Sequence, residues 1–273
     1  MTGPDDEHAE VAAAAAALRD ARFVAVLTGA GVSAESGVPT FRDALTGLWA
    51  TFDPRELATP AAFARNPKRV WDWYAERRAA VLAAQPNPGH LALAAIERRV
   101  PDFLLATQNV DGLHARAGSR ALVELHGALS RVRCSREGHV VERWDDPLAP
   151  DEPPRCPRCG AFLRPDVVWF EEMLPAAAIA SAEDAARACD LMIVAGTSAE
   201  VYPAAALPSL AKAAGATLCE VNPHATPVSS IADFALRARS GDALPALVAA
   251  AWPQSFPAGG GASSGLDDGG GAK

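Results

Sequence analysis

The chain lacks the features that are typical of membrane, secreted and nucleic-acid-binding proteins. None of its apolar runs approaches the ~18 residues that a transmembrane helix needs. The formal net charge is −8, which argues against non-specific binding to nucleic acid or to anionic membranes, because both need a basic surface. The N-terminus is acidic where a secretory signal is basic, so we expect no export and a cytoplasmic location.

Cysteine is scarce, with five residues in the whole chain. So few cysteines in a chain of this length do not make a disulfide framework. Cys156 and Cys159 stand as C-x-x-C, a spacing typical of metal or redox chemistry. Residues 131–166 around them are rich in Arg, Asp, Pro and Cys and show no clear periodicity, so we predict a small inserted module there.

Short apolar runs alternate with stretches of strong helix formers in the rest of the chain. The strand-like runs are residues 23–27, 103–107, 191–195 and 216–221, and the main helix-like stretches are 8–20, 69–84, 90–99, 176–188 and 203–214. This alternation predicts βαβ units and therefore an α/β fold, a Rossmann-like parallel sheet with helices on both faces.

The composition also divides the chain into parts. We predict an N-terminal helical extension over residues 1–20, one α/β domain over 21–256 and a disordered Gly/Ser-rich tail over 257–273. Within the domain, a helical insertion at about 45–85 is expected to cover a cleft, with the Cys-bearing module at 131–166 beside it.

A glycine-rich turn follows the first predicted strand. Residues 28–33 read Thr-Gly-Ala-Gly-Val-Ser, and such small residues let backbone N–H groups approach a pyrophosphate. A tight turn without a ligand explains G-A-G alone equally well. The spacing is not G-x-G-x-x-G, so an ordinary dehydrogenase is not the best fit.

Five motifs in one order carry a stronger signal. They are GAGVSAESGVPTFR at 29–42, TQNVD at 107–111, LHG at 125–127, VWF at 168–170 and GTS at 196–198. Together they resemble the sirtuin family of NAD-dependent protein deacylases, from about residue 20 to about residue 250. The resemblance implies that NAD is consumed as a co-substrate and that a lysine acyl group passes to ADP-ribose, with release of nicotinamide and free lysine.

The resemblance also implies roles for individual residues. His126 would be the catalytic base, and histidine suits that role because its ordinary pKa of ~6.5 leaves neutral imidazole at neutral pH. Outside such a motif, a lone histidine is more often structural. The implied cofactor-binding residues are Gly29, Ala30, Gly31, Ser33, Glu35, Phe41, Arg42, Gln108, Asn109, Asp111, Gly196, Thr197, Ser198, Asn222 and Ala243.

Residues 56–78 carry the signal for the acyl group. Tyr74 and Arg77 stand three apart and share a helix face, which an amphipathic surface helix would also explain. The segment resembles the sirtuins that remove succinyl, malonyl or glutaryl groups, in which such a pair holds the acyl carboxylate. Ala58 matches a small residue that leaves room for the longer chain. We expect activity on both acidic acyl and acetyl groups, with succinyl-lysine favoured.

The substrate is expected to be an acylated-lysine protein bound as an extended peptide. Val168, Trp169 and Phe170 would line the lysine tunnel and pair with the peptide backbone, as the resemblance implies. Glu171 departs from the usual F-G-E sequence at this point, which affects the shape of the loop.

A structural zinc ion in this family is bound by two C-x-x-C pairs. Here Cys156 and Cys159 form one pair and Cys134 begins the other, but Glu137 stands where the fourth cysteine would be. Glu137 or His139 could supply the fourth ligand, since carboxylate and imidazole both bind zinc. The alternative is a module that has lost its ion. We favour a bound zinc, without a role in catalysis.

Two other functions are consistent with an NAD site. A mono-ADP-ribosyltransferase would pass ADP-ribose to a protein, and a non-enzymatic sensor would bind NAD or ADP-ribose without turnover. The combination of Gln108, Asn109, Asp111 and His126 argues against the sensor, because a protein that only binds NAD does not need the base.

Overall fold

The computed structural model describes residues 4–38, 57–144 and 151–253. The helices in these ranges are α1 (Pro4–Asp20), α2 (Pro60–Arg65), α3 (Pro67–Ala83), α4 (Pro88–Glu97), α5 (Leu113–Arg116), α6 (Ala176–Ala188), α7 (Leu207–Ala213) and α8 (Ser240–Ala251). The strands are β1 (Phe23–Thr28), β2 (Asp102–Thr107), β3 (Leu122–Glu124), β4 (Gly127–Cys134), β5 (Val140–Val141), β6 (Leu163–Val167), β7 (Leu191–Ala195), β8 (Thr217–Val221) and β9 (Phe234–Leu236).

Six strands form one parallel sheet in the order β3-β2-β1-β7-β8-β9. Numbered along the chain within this sheet, the order is 3-2-1-4-5-6, which is the Rossmann order. Thr28 at the end of β1 is level with Thr107 of β2 and with Ala195 of β7. The predicted parallel sheet is confirmed, and its crossover reverses direction between β1 and β7.

Helices cover both faces of this sheet, as predicted. Along β1, alternate side chains point to opposite faces. Val24 and Val26 pack with Leu18 of α1, Leu93 of α4 and Leu244 of α8. On the other face, residues of β1 and β7 pack against α6 and α7, and this second cluster also contains much alanine. Because α1 contributes Leu18 to the core, the N-terminal helix is part of the packed layer.

A second, smaller sheet carries the Cys-bearing module. It is antiparallel, in the order β5-β4-β6. Trp71 of α3 is 1% exposed and packs in the same cluster as Cys134, Cys156 and Leu163. Arg78 of α3 donates a hydrogen bond from Nε to the Leu129 carbonyl at 2.9 Å. These contacts attach α3 to the module.

The helical insertion is described only in part, because residues 39–56 lie outside the described ranges, as does the predicted tail at 257–273. Its described portion begins with α2 and α3, and each has a side chain that caps its first turn: Thr59 accepts from Ala62 N–H, and Asn66 accepts from Arg69 N–H. Within the described part of the chain, no helix has the length and apolar character that crossing a bilayer requires.

The loop after β6 turns sharply at Glu171, whose φ of 71° lies in the left-handed region. Hydrogen bonds to the carboxylate of the next residue, Glu172, hold this turn in place. The Trp169 N–H donates to Glu172 Oε2 at 2.9 Å, and Arg164 binds the same carboxylate at 2.6 and 2.9 Å. Positive φ disfavours residues that carry a Cβ. This geometry explains why glycine is usual at the middle position of F-G-E, which Glu171 occupies here.

We predict that Glu171→Gly raises the free energy of unfolding by about 0.5–1 kcal/mol, since it relieves left-handed strain and loses only part of that gain to glycine's entropy. Thermal unfolding should show a midpoint about 2 °C higher. Glu171→Ala is the matched control, because it removes the same charge but keeps the Cβ. An equal gain in both variants would show that charge, not backbone strain, is responsible.

Candidate active site

The loops that follow β1 and β7 touch at the point where the sheet reverses direction. Gly31 N–H donates to the Gly196 carbonyl at 2.8 Å, and Gly29 N–H donates to the Ala195 carbonyl at 3.2 Å. A Cβ at Gly31 would lie 2.7 Å from the Gly196 oxygen, and one at Gly29 would lie 2.7 Å from Thr197 Cβ. Both positions therefore require glycine because of the protein's own packing.

This contact changes the expected use of the glycine turn. We expected small residues to free backbone N–H groups for a pyrophosphate. The N–H groups of Gly29 and Gly31 are instead bonded within the protein. Their contribution is the close approach of the two loops at the switch point of the sheet, where Rossmann folds have a nucleotide-binding crevice outside the carboxyl ends of the strands.

Polar side chains at the ends of two further strands, β2 and β8, meet those of the loop after β7. Gln108 follows β2 and donates from Nε2 to Thr197 Oγ1 at 2.9 Å. Asn222 follows β8 and donates from Nδ2 to the Thr197 carbonyl at 3.0 Å. Ser198 is half-buried next to them. The structure therefore brings the predicted Gln108, Thr197, Ser198 and Asn222 together.

A buried hydrogen-bond network holds two of the predicted residues in place. Ser33 is 0% exposed; its hydroxyl donates to Asp111 Oδ2 at 2.8 Å and accepts from Asn109 Nδ2 at 3.1 Å. His90 accepts the Asn87 N–H at Nδ1, so its Nε2, 3.3 Å from the Ser33 hydroxyl, carries the proton. Ser33 therefore positions Asn109 and Asp111.

The remaining predicted cofactor residues are placed differently from one another. Ala30 lies in the short 3-10 turn after Gly29, half-buried. Glu35 accepts the N–H of Gly241 at 2.8 Å, at the positive N-terminal end of α8. Ala243, a residue of α8, is 6% exposed and packs in the core. Phe41 and Arg42 lie outside the described residues.

His126 lies just beyond β3, at the same edge of the sheet. Its Nδ1 is 2.9 Å from the carbonyl oxygen of Gln108 and donates a proton to it, because a carbonyl can only accept. In the neutral ring, Nε2 is then the unprotonated nitrogen. Burial lowers the pKa of His126 below its ordinary value, against the opposing effect of the Gln108 carbonyl. The geometry gives a neutral imidazole with a free basic nitrogen.

The segment 168–170 connects His126 to the helical insertion. Val168 N–H donates to the His126 carbonyl at 2.9 Å, and Phe170 N–H donates to the Ala58 carbonyl at 3.0 Å. Between them, the Trp169 indole N–H donates to the Tyr74 hydroxyl at 3.0 Å. The predicted substrate residues are thus joined by hydrogen bonds and lie next to the histidine.

Tyr74 and Arg77 are neighbours on one face of α3, as their spacing predicted. Tyr74 is 6% exposed, and burial raises its pKa to about 12, so the phenol keeps its proton. Arg77 lies over the ring of Trp73, with Cζ 4.1 Å from the centroid. Burial lowers the pKa of Arg77, and Tyr74 counteracts this. The pair is a hydroxyl donor beside a partly desolvated cation.

The three predicted cysteine ligands also come together. The Sγ atoms of Cys134, Cys156 and Cys159 lie within 4.8 Å of one another, so this cluster could hold a zinc ion. Cys189 and Cys219 are buried in the two cores of the sheet, as expected for structural cysteines.

The buried hydrogen bonding of three groups of polar residues was not predicted from the sequence. His90 is one; it follows Asn87-Pro88-Gly89, a helix N-terminus in which Asn87 is the cap. Thr28 is another, and it bonds Thr107 and His114 across the sheet. The ion pair of Arg164 and Glu172 beneath Trp169 is the third. Their local sequence suggests only a cap, a strand end and surface charges.

Comparison with known proteins places this geometry in context. The profile of the Sir2 family matches residues 29–203. An NAD-dependent protein deacylase of Ralstonia nicotianae is 52% identical over 246 residues, which make up 87% of this chain and 96% of the relative.

Solved structures agree with the sequence match. The crystal structure of a Sir2 homologue in complex with NAD matches with a TM-score of 0.81 and 47% identity, over 86% of this chain and 91% of that chain. A complex of Sir2 with a p53 peptide and NAD+ matches with a TM-score of 0.75 and 33% identity, over 84% of this chain and 93% of that chain.

The buried histidines beneath the crevice predict a pH effect on stability. Burial lowers the pKa of His90 to about 4 and that of His114 to about 3, whereas both titrate near 6.5 when unfolded. Between these values the unfolded chain binds more protons, so stability falls as the pH drops below 6.5. Each histidine should remove about 2 kcal/mol of unfolding free energy between pH 7 and pH 5.

Urea unfolding at the two pH values measures this loss. The control is the double variant His90→Gln, His114→Gln, which keeps side-chain hydrogen bonding but removes the titrating rings. The free energy of unfolding of this double variant should fall less between pH 7 and pH 5 than that of the parent, by most of the contribution of the two histidines. The same loss in the parent and the double variant would contradict the assignment.

Proposed function

Since this chain belongs to the Sir2 family and is an NAD-dependent protein deacylase, we propose that it removes acidic acyl groups, succinyl and malonyl among them, and also acetyl groups from protein lysines. The observation that supports this most is the pair of buried Tyr74 and half-buried Arg77, connected through Trp169 and Val168 to His126. A carboxylate at the far end of the acyl chain would meet a hydroxyl and a cation there.

In this proposal NAD is the co-substrate and occupies the crevice between the ends of β1 and β7. Thr197 and Asn222 lie on its β7–β8 side, and Gln108, Asn109 and Asp111 lie at the end of β2. The hydrogen bonds among Ser33, Asn109 and Asp111 fix these side chains before any ligand arrives, which lowers the cost of ordering them on binding.

His126 is the proposed base. The Gln108 carbonyl holds its Nδ1 proton, so Nε2 is free to accept a proton from a ribose hydroxyl of bound NAD. NAD would supply the ribose that takes the acyl group from lysine, with nicotinamide as the leaving group. The lowered pKa keeps the ring neutral through the neutral pH range.

Tyr74 is set up to donate to the acyl carboxylate. Trp169 Nε1–H already occupies one lone pair of the Tyr74 oxygen, so the phenolic hydrogen must point elsewhere. Arg77 adds a positive charge in a partly desolvated place, where an ion pair is stronger than in water. A neutral acetyl group uses neither contact, so it should react more slowly.

The lysine and its flanking peptide would lie along residues 168–170. Phe170 is 42% exposed and Met173 is 91% exposed, which leaves apolar surface beside the tunnel. In the Sir2 complex with a p53 peptide and NAD+, a peptide occupies the enzyme together with the dinucleotide. An extended acyl-lysine peptide is the matching partner proposed here.

We predict that Arg77→Met lowers kcat/KM for a succinyl-lysine peptide by about 100-fold, as expected for loss of a charge-assisted contact of 2–3 kcal/mol. The same peptide with acetyl-lysine should lose only a few-fold. Steady-state rates of deacylated peptide formation measure both. Arg69→Met is the matched control, because Arg69 is exposed on the same helix.

An equal loss on the two peptides would mean that Arg77 supports the fold of the pocket and does not read the carboxylate. An equally selective loss in Arg69→Met would place the recognition elsewhere on α3.

We predict that His126→Ala lowers kcat by about 100- to 10,000-fold, the usual contribution of general-base catalysis, and leaves NAD binding within a few-fold. Turnover and calorimetric NAD binding measure the two quantities. His8→Ala is the control, because His8 is an exposed residue of α1.

This experiment also separates the rival functions. A sensor would show no turnover to lose. An ADP-ribosyltransferase would move label from radiolabelled NAD onto protein without forming deacylated peptide.

A further inference from the structure

Two turns in the Cys-bearing module have the same backbone construction. In the first, Gly138 N–H donates to the Cys134 carbonyl at 2.9 Å, and in the second, Gly160 N–H donates to the Cys156 carbonyl at 2.9 Å. Both glycines have a left-handed backbone conformation, with φ of 74° and 71°. The two turns therefore correspond residue by residue.

This correspondence places Glu137 where the second turn has Cys159. The backbone of Glu137 keeps the expected role, because its N–H donates to Cys134 Sγ at 3.4 Å. The side chain does not take the position of a ligand. Its Oε2 lies 3.3 Å from Nδ1 of His139, two residues further along.

His139 turns its other nitrogen toward one of the thiols, with Nε2 3.5 Å from Cys156 Sγ. The three sulfurs lie within 4.8 Å of one another, whereas His139 is not within that distance of all three, so its ring would have to move closer to the other sulfurs to complete the site. For a tetrahedral zinc ion with Zn–S of ~2.3 Å and Zn–N of ~2.0 Å, a sulfur and a nitrogen ligand are separated by about 3.5 Å. Cys134 Sγ and Cys159 Sγ are also 3.5 Å apart, near the separation of about 3.8 Å expected for two thiolates on one ion.

We propose that the module binds one zinc ion through three thiolates and one imidazole, supplied by Cys134, Cys156, Cys159 and Nε2 of His139. Glu137 is a positioning residue that accepts the Nδ1 proton of His139. Histidine ligands commonly donate their other ring N–H to such a carboxylate, which fixes the tautomer and strengthens the ligand. The sulfur atoms are too far apart for a disulfide, whose bond is ~2.05 Å long.

The donor set fits zinc and suits a structural site. Three thiolates and an imidazole complete four-coordination and leave no open position for a substrate. The ion would join the turn after β4 to the turn at Cys156–Cys159, two segments that pack with Trp71 of α3. This inference does not depend on the proposed acyl preference, and its readouts are independent of deacylation.

X-ray absorption at the zinc edge on the full chain as purified tests the site without any mutation. The expected result is about one zinc per chain, with three sulfurs at ~2.3 Å and one nitrogen at ~2.0 Å, together with the multiple scattering of an imidazole ring. Absence of zinc after purification with zinc supplied, or a spectrum without imidazole, would overturn the proposal.

Chelator competition distinguishes the roles of His139 and Glu137. His139→Ala should lose zinc to a competing chelator at a far lower concentration than the parent, and Glu137→Gln should weaken binding by about 10- to 100-fold. His139→Cys should retain the ion with four sulfurs, which shows that the variant site still folds. His8→Ala is the control and should match the parent. A larger loss in Glu137→Gln than in His139→Ala would make Glu137 the ligand and contradict the assignment.

Discussion

The contact between the loops after β1 and β7 is the constraint on which the rest of the site depends. It consists of two backbone hydrogen bonds, from Gly31 to Gly196 at 2.8 Å and from Gly29 to Ala195 at 3.2 Å, in a space that admits no Cβ at either glycine. The contact lies between β1 and β7, where the strand order reverses and Rossmann folds have a crevice at the carboxyl ends of the strands. Residues far apart in the chain, such as Gln108, Thr197 and Asn222, can then bond to one another in one crevice.

Two kinds of environment meet at His126. On the proposed nucleotide side, Ser33, Asn109 and Asp111 bond to one another, and burial keeps the rings of His90 and His114 neutral. On the acyl side, a cluster of apolar and aromatic residues surrounds the few polar atoms of the pocket. Trp169 contacts both Arg164 and Tyr74. The guanidinium of Arg164 lies 3.3 Å from the centre of the Trp169 ring, and the Trp169 indole N–H donates to the Tyr74 hydroxyl.

Much of the fold was predictable because long elements carry periodic or continuous apolar patterns. Strands β1, β2, β7 and β8 were predicted in this way, whereas β3 and β9 have three residues each, too few for a pattern. The helix expected at 203–214 is split into a 3-10 turn over Ala204–Ala206 and α7, where Pro208 lies near the helix start. Helix α8 was missed, although its alanine-rich sequence is helix-forming.

The site was predictable where a motif fixes a local turn, and less so where it depends on distant contacts. His126, Gln108 and Thr197 were found because they follow strand ends within recognisable motifs. The bonding of Ser33 to His90, and of Glu35 to the start of α8, joins segments separated by 57 and 206 positions. No local pattern encodes such pairs. For the same reason, the sequence left Glu137 and His139 as equal alternatives, and only their side-chain directions distinguish them.

In the proposed function, this crevice brings NAD and an acylated lysine together beside His126. The most direct test uses one peptide that carries acetyl-, malonyl-, succinyl- or glutaryl-lysine, incubated with the purified chain and NAD while nicotinamide release is followed. We expect nicotinamide release that requires the acylated peptide, with a higher kcat/KM for acidic acyl groups than for acetyl. Absence of nicotinamide release with all four peptides would contradict it.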